Sequence, residues 1–198
     1  MENKKLQAQE NFENSILKLK ESGYLQKDCS IPLGTNTLKT FASSLPFILA
    51  EILLYLFFSQ SYSVNLRQWI ALLAGLVLSI PVHELLHAFV WIILNKSVKC
   101  VTLGFDKKTI TPYCACSIAM KKGKYLLGCL APFLILGVLS GVLAIVFAKL
   151  WLLILSVYNI FASSGDIFIA IKAISQKRGS LLLDHYKNAG FIAFYIED

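Results

Sequence analysis

The sequence predicts an all-α membrane protein of about four transmembrane helices, with a short cytoplasmic β-hairpin between the second and third. Three observations predict it. Of 198 residues, 56% are hydrophobic and only 16% charged, a balance suited to lipid rather than to a soluble surface. Four apolar segments, near 42–60, 68–94, 124–148 and 150–174, each approach the ~20 residues a helix needs to cross a ~30 Å hydrocarbon core. Between the second and third lie two β-prone runs, and nowhere else does a strand pattern stand out.

The elements follow in order. Residues 1–40 form a cytoplasmic N-terminal segment in which Phe12, Ile16 and Leu19 recur at helical spacing and Gly23 supplies a stop, so a short amphipathic helix suited to a membrane surface is expected. About forty polar or mixed residues precede the first apolar run, so that run is expected to be a retained span rather than a cleaved signal. Residues 41–175 make the four-helix membrane domain, with only a tight turn between the last two spans. Within it, 98–104 and 109–117 flank Asp106-Lys107-Lys108 as a hairpin. Residues 176–198 are a cytoplasmic tail.

The net charge of +7 does not point to nucleic acid, because the basic residues lie between apolar segments and form no basic-aromatic surface. They orient the chain instead. Six Lys/Arg fall in 1–40, seven in 96–124 and four in 172–187, against Arg67 and Lys149 alone on the other side. The positive-inside rule then places both termini and the hairpin in the cytoplasm of a multi-pass cell-membrane protein. Five cysteines without a paired CxxC framework read as reduced thiols, with Cys114 and Cys116 as packing or surface groups on one side of a strand.

The chemistry centres on His83-Glu84-Leu85-Leu86-His87. On a helix, the two imidazoles project from one face a turn apart, the spacing of two zinc ligands, and Glu84 stands beside the first as a general base for water. With three His and seven Glu in 198 residues, chance yields roughly 0.002 such matches. Two buried, hydrogen-bonded histidines beside a paired Glu would explain the same residues without a metal, but unpaired ionisable groups in lipid are costly. Metal binding accounts for all three together.

A catalytic zinc takes a third protein ligand. Glu51 and Asp166 lie at membrane depth, and Asp184 and His185 lie in the tail. His83 is about 15 residues, or ~22 Å, into the second span, and Asp166 about 16 residues, or ~24 Å, into the fourth, which runs the same way. That agreement favours Asp166, in a small, polar stretch, Ser163-Ser164-Gly165, that can loosen a helix; the alternative is an Asp hydrogen-bonded to Ser163 or Asn159 within the bundle. Glu51 reads either as a hydrogen-bond partner of a ligand imidazole or, more simply, as a residue that snorkels or pairs with a lysine. Asn159 reads equally as a packing residue or as a donor to a substrate carbonyl.

With HELLH in one span and Asn159…Gly165-Asp166 in a later one, the chain resembles the intramembrane zinc proteases of the site-2 protease type, and more closely the zincin-like peptidases of the bacterial DUF3267 family. Tyr113-Cys114-Ala115-Cys116, Ala131-Pro132 and Asp184-His185…Gly190-Phe191 extend the likeness over most of 70–195. The resemblance implies zinc on His83, His87 and Asp166, with Glu84 as base, and a hairpin that presents an extended substrate by strand addition. One departure is that site-2 proteases usually carry Leu-Asp-Gly, whereas here Gly165 precedes Asp166. The expected activity is hydrolysis of a peptide bond in a membrane-associated peptide or protein, with membrane lipids as the surroundings. A non-enzymatic membrane module with a structural metal or an ion-conducting role is the alternative.

Overall fold

The computed structural model describes residues 2–31, 37–59, 62–106, 111–186 and 188–197. The chain runs α1 (Glu2–Glu21), β1 (Leu25–Asp28), α2 (Thr37–Phe58), α3 (Leu66–Asn95), β2 (Val101–Asp106), β3 (Thr111–Cys116), β4 (Met120–Lys121), α4 (Lys122–Cys129), α5 (Ser140–Val146), α6 (Leu150–Ala162), α7 (Ser164–Ile174), β5 (Leu181–Asp184) and β6 (Phe191–Tyr195). It is mostly helical, and the all-α expectation needs one correction. Besides the β2–β3 hairpin there is a four-stranded antiparallel sheet, in the order β1-β6-β5-β4, built largely from the two terminal segments.

Leu38–Phe58 and Leu66–Asn95 are long and apolar enough to cross a membrane, and their exposed faces carry Leu53, Phe57, Leu73, Val77 and Phe89. The third and fourth expected spans meet the same standard only as bent pairs. Lys122–Cys129 with Phe133–Val146 bends by 48°, and Leu150–Ala162 with Ser164–Ile174 by 51°. The first bend sits at Pro132, which has no N–H to return to the carbonyl of Gly128 four residues back. Phe133–Leu139 beyond it is π-helical. The second bend sits at Ser163, whose ψ of 8° ends α6.

The chain forms two compact units. The unit made of 1–36, 84–129 and 169–198 holds the sheet. Here α1 ends as expected, with Gly23 at φ 82° and the Tyr24 N–H returning to the Leu19 carbonyl. Its stripe of Phe12, Ile16 and Leu19 packs on Leu183, Ile192 and Phe194. The sheet, rather than a lipid surface, therefore covers the face expected to lie on the membrane. In β2–β3, Val101 pairs with Cys116 and Asp106 with Thr111. Of the expected turn Asp106-Lys107-Lys108, Asp106 is the last residue of β2, and 107–110 lie outside the described residues.

The other unit, 37–83 and 130–168, is a helical bundle threaded by α2 and α6. Phe41 stacks on Phe161 at 4.9 Å, the Ser43 hydroxyl donates to the Ser164 carbonyl at 3.0 Å, and Ile48 packs with Phe133, Ile160 and Ile167. Farther along, the Ser156 hydroxyl donates to Glu51 Oε1 at 2.6 Å. Gly137 and Gly141 permit this closeness, since an added Cβ would lie 2.8 Å from Ile160 Cγ1 and 1.2 Å from Glu51 Oε1 respectively. Small residues at such crossings let helix backbones approach where lipid offers no hydrophobic drive.

Candidate metal centre

His83, Glu84 and His87 all lie on α3, an apolar helix with Pro81 within it. His83 and Glu84 are half-buried and His87 is buried. Asp166 lies in the first turn of α7, beyond the bend at Ser163, where a helix N-terminus favours a carboxylate. Its Oδ2 is 3.1 Å from His83 Nε2. One donor atom each from His83, His87 and Asp166 all lie within 4.8 Å of one another.

His87 shows how a donor is prepared. Its Nδ1 is 2.8 Å from the Gly128 carbonyl. A carbonyl only accepts, so Nδ1 carries the proton and the lone pair is on Nε2. The Gly128 carbonyl is available for this bond because Pro132 cannot take it within a helix. Trp91, one turn along α3, stacks on His87 with ring centroids 5.6 Å apart and planes at 20°. Gly128 is in turn pressed against Trp91, since an added Cβ would lie 2.0 Å from the indole Nε1.

Two imidazole nitrogens and a carboxylate oxygen match the preferences of zinc, and ligand bonds of roughly 2.0–2.1 Å place tetrahedral donors ~3.3 Å apart. The His83–Asp166 separation is already close to that edge. The residues present therefore fit zinc.

The remaining candidates lie elsewhere. Glu51 bonds to Ser156 rather than to a lysine or a ligand imidazole. Asn159 is buried, with its Nδ2 donating to the Leu155 carbonyl within α6. His185 Nδ1 accepts the Asn188 N–H at 2.9 Å, and its ring stacks on Tyr186 at 5.5 Å. Asp184 accepts from the Tyr125 hydroxyl at 3.0 Å and from the Cys116 N–H at 3.2 Å. Burial first, then the charges of Asp184 and Glu84, push the Cys114 thiol far above its usual range, and burial does the same for Cys116. Cys116 is buried and Cys114 half-buried, in keeping with the packing or surface role expected of them.

The family model of DUF3267, described as "Putative zincin peptidase", matches residues 76–181, more than half of the chain. The chain belongs to the DUF3267 family. The match runs from just before HELLH through α7, so it contains His83, Glu84, His87, Gly128 and Asp166. No curated protein and no solved structure matches the chain. Membership marks a metallopeptidase family and implies zinc, in keeping with the donor group on α3 and α7.

Proposed function

We propose that this DUF3267 protein is an intramembrane zinc metallopeptidase that hydrolyses a peptide bond of a membrane-associated substrate. The observation that carries the reading is the meeting of His83, His87 and Asp166 donor atoms within 4.8 Å, with Glu84 next to His83 on the same helix. A closed structural zinc site takes four protein donors, whereas three leave a position for water or substrate. The group offers three among the described residues, which favours a catalytic site over a structural one.

His83 Nε2, His87 Nε2 and an Asp166 carboxylate oxygen would hold the metal. When bound, zinc supplies Lewis acidity toward a carbonyl and lowers the pKa of water to about 7. The Glu84 carboxylate takes the proton of the attacking water and hands it to the departing amine, acting in turn as base and acid. A helical substrate hides its scissile carbonyl in backbone hydrogen bonds, so the segment to be cut must first unwind, and β2–β3 offers an edge for it. Asn159 Nδ2 carries two N–H groups, so it can keep its bond to the Leu155 carbonyl and still offer the other to a substrate carbonyl. The Lys/Arg distribution supports cytoplasmic termini and a cleavage site near the cytoplasmic third of the bilayer, the setting of site-2-type proteases.

The test is Glu84→Gln in the purified, membrane-reconstituted chain. Zinc content should match wild type, while cleavage of membrane substrates falls by at least ~100-fold, the scale of general-base catalysis. Undiminished proteolysis by the zinc-loaded variant would sink the assignment.

A further inference from the structure

Asp184 lies beyond the family-matched segment, is buried, and contributes no donor to the metal group. Its two oxygens bridge separate elements. Oδ1 accepts from the Tyr125 hydroxyl of α4 at 3.0 Å, and Oδ2 accepts from the Cys116 N–H at the end of β3 at 3.2 Å. The carboxylate is itself fixed by the sheet, where Asp184 pairs with Phe191, and Phe191 meets the Tyr125 ring edge-on at 5.4 Å.

Tyr125 matters because of what else α4 carries. Tyr125 and Gly128 are three residues apart and share a helix face. Gly128 offers the carbonyl that holds His87 Nδ1 at 2.8 Å. The helix has only eight residues, two of them glycine. Lys122 and Lys124 tie its first turn to the carbonyls of Ile174, Gln176 and Leu94, and the Tyr125 hydroxyl is the anchor on the face that carries Gly128. Holding that hydroxyl fixes the rotation of this face and with it the direction of the Gly128 carbonyl.

We propose that Asp184 is a positioning residue for the metal ligand His87, acting through Tyr125 and α4 to aim the Gly128 carbonyl at His87 Nδ1. The inference rests on the reading of His87 as a ligand. Remote as it is in sequence, the penultimate strand β5 thus belongs to the support of the centre. Partners that orient a ligand imidazole typically contribute 10–100-fold to metal affinity.

The test uses the full chain in detergent or bilayer discs, with Tyr125→Phe, Asp184→Asn and the double variant. Zinc affinity, read by competition with a chelating dye, should fall about 10-fold or more in each single variant. The double variant should be no weaker than the worse single one, because both act along one path. In the metal-free protein, the His87 Nδ1–H resonance of ¹⁵N-histidine-labelled chain should shift or broaden in the variants, a change that general destabilisation of the sheet would not produce. Tyr125→Phe, which removes only an oxygen, keeps the test usable if Asp184→Asn does not fold. A folded Tyr125→Phe with wild-type zinc affinity and an unmoved His87 resonance would overturn the proposal. Absence of zinc binding by wild type would instead strike at the proposed function, and the His87 resonance would still judge Asp184.

Discussion

Gly128→Ala tests the construction of the centre most directly, because one methyl group reaches the proposed ligand His87 through two contacts. The added Cβ would stand 2.0 Å from Trp91 Nε1 and 2.2 Å from Cδ1, whereas ordinary contact begins at 3.4 Å. Taking the difference, 3.4 minus 2.0, either α4 or the indole must retreat by about 1.4 Å in an interior packed too tightly to absorb it. If α4 moves along the line of its hydrogen bond, the His87–Gly128 distance of 2.8 Å opens to about 4.2 Å and the bond is lost. If Trp91 moves, the ring stacked on His87 moves with it. Either route disorders the imidazole. Zinc affinity should fall 10–100-fold, and overpacking should cost about 1–3 kcal/mol of stability. The assay is chelator competition on detergent-solubilised protein, with thermal unfolding recorded separately. Gly165→Ala is the control, since a Cβ there meets nothing within 4 Å even though Asp166 is the next residue. A folded Gly128→Ala that binds zinc within about 3-fold of wild type would refute the reasoning, because the full effect of an orienting partner is larger than that.

Two further outcomes are expected. Asp166→Ala should lose stoichiometric zinc under conditions where Glu51→Gln retains it, as metal analysis of the purified variants will read, because Glu51 bonds to Ser156 and is not among the three grouped donors. Gly141→Ala should destabilise the helical bundle by about 1–3 kcal/mol in a denaturation assay, since its Cβ would coincide with Glu51 Oε1 at 1.2 Å. Shortening the side chain in Gly141→Ala/Glu51→Ala should restore part of the loss, whereas strictly additive costs would mean that the two positions do not touch in the folded protein.

Composition and segment length were enough to read the four apolar segments, because lipid demands about 20 consecutive apolar residues of a spanning helix and tolerates few exceptions. The pair of imidazoles was legible for a similarly local reason, since helical periodicity alone puts His83 and His87 on one face. Asp166 could be chosen by depth, and the loosened helix beside it follows from Ser163-Ser164-Gly165. The four-stranded sheet was not legible. Leu181–Asp184 and Phe191–Tyr195 are short and almost wholly buried, so they show no alternation. Leu25–Asp28 is polar and exposed, and becomes a strand only by pairing with a segment near the other end of the chain.

The metal centre divides in the same way. The sequence by itself determined which side chains have the chemistry of a zinc site, because ligand type and helical spacing are local properties. Pro132 cannot return an N–H to the Gly128 carbonyl, but the sequence did not show what would take that carbonyl. Only the tertiary structure decided that His87 takes this carbonyl, that Trp91 closes against Gly128, and that Asp184 holds Tyr125. Each of these contacts joins residues that no periodicity relates, so they exist only once α4, β5 and the end of α3 have packed.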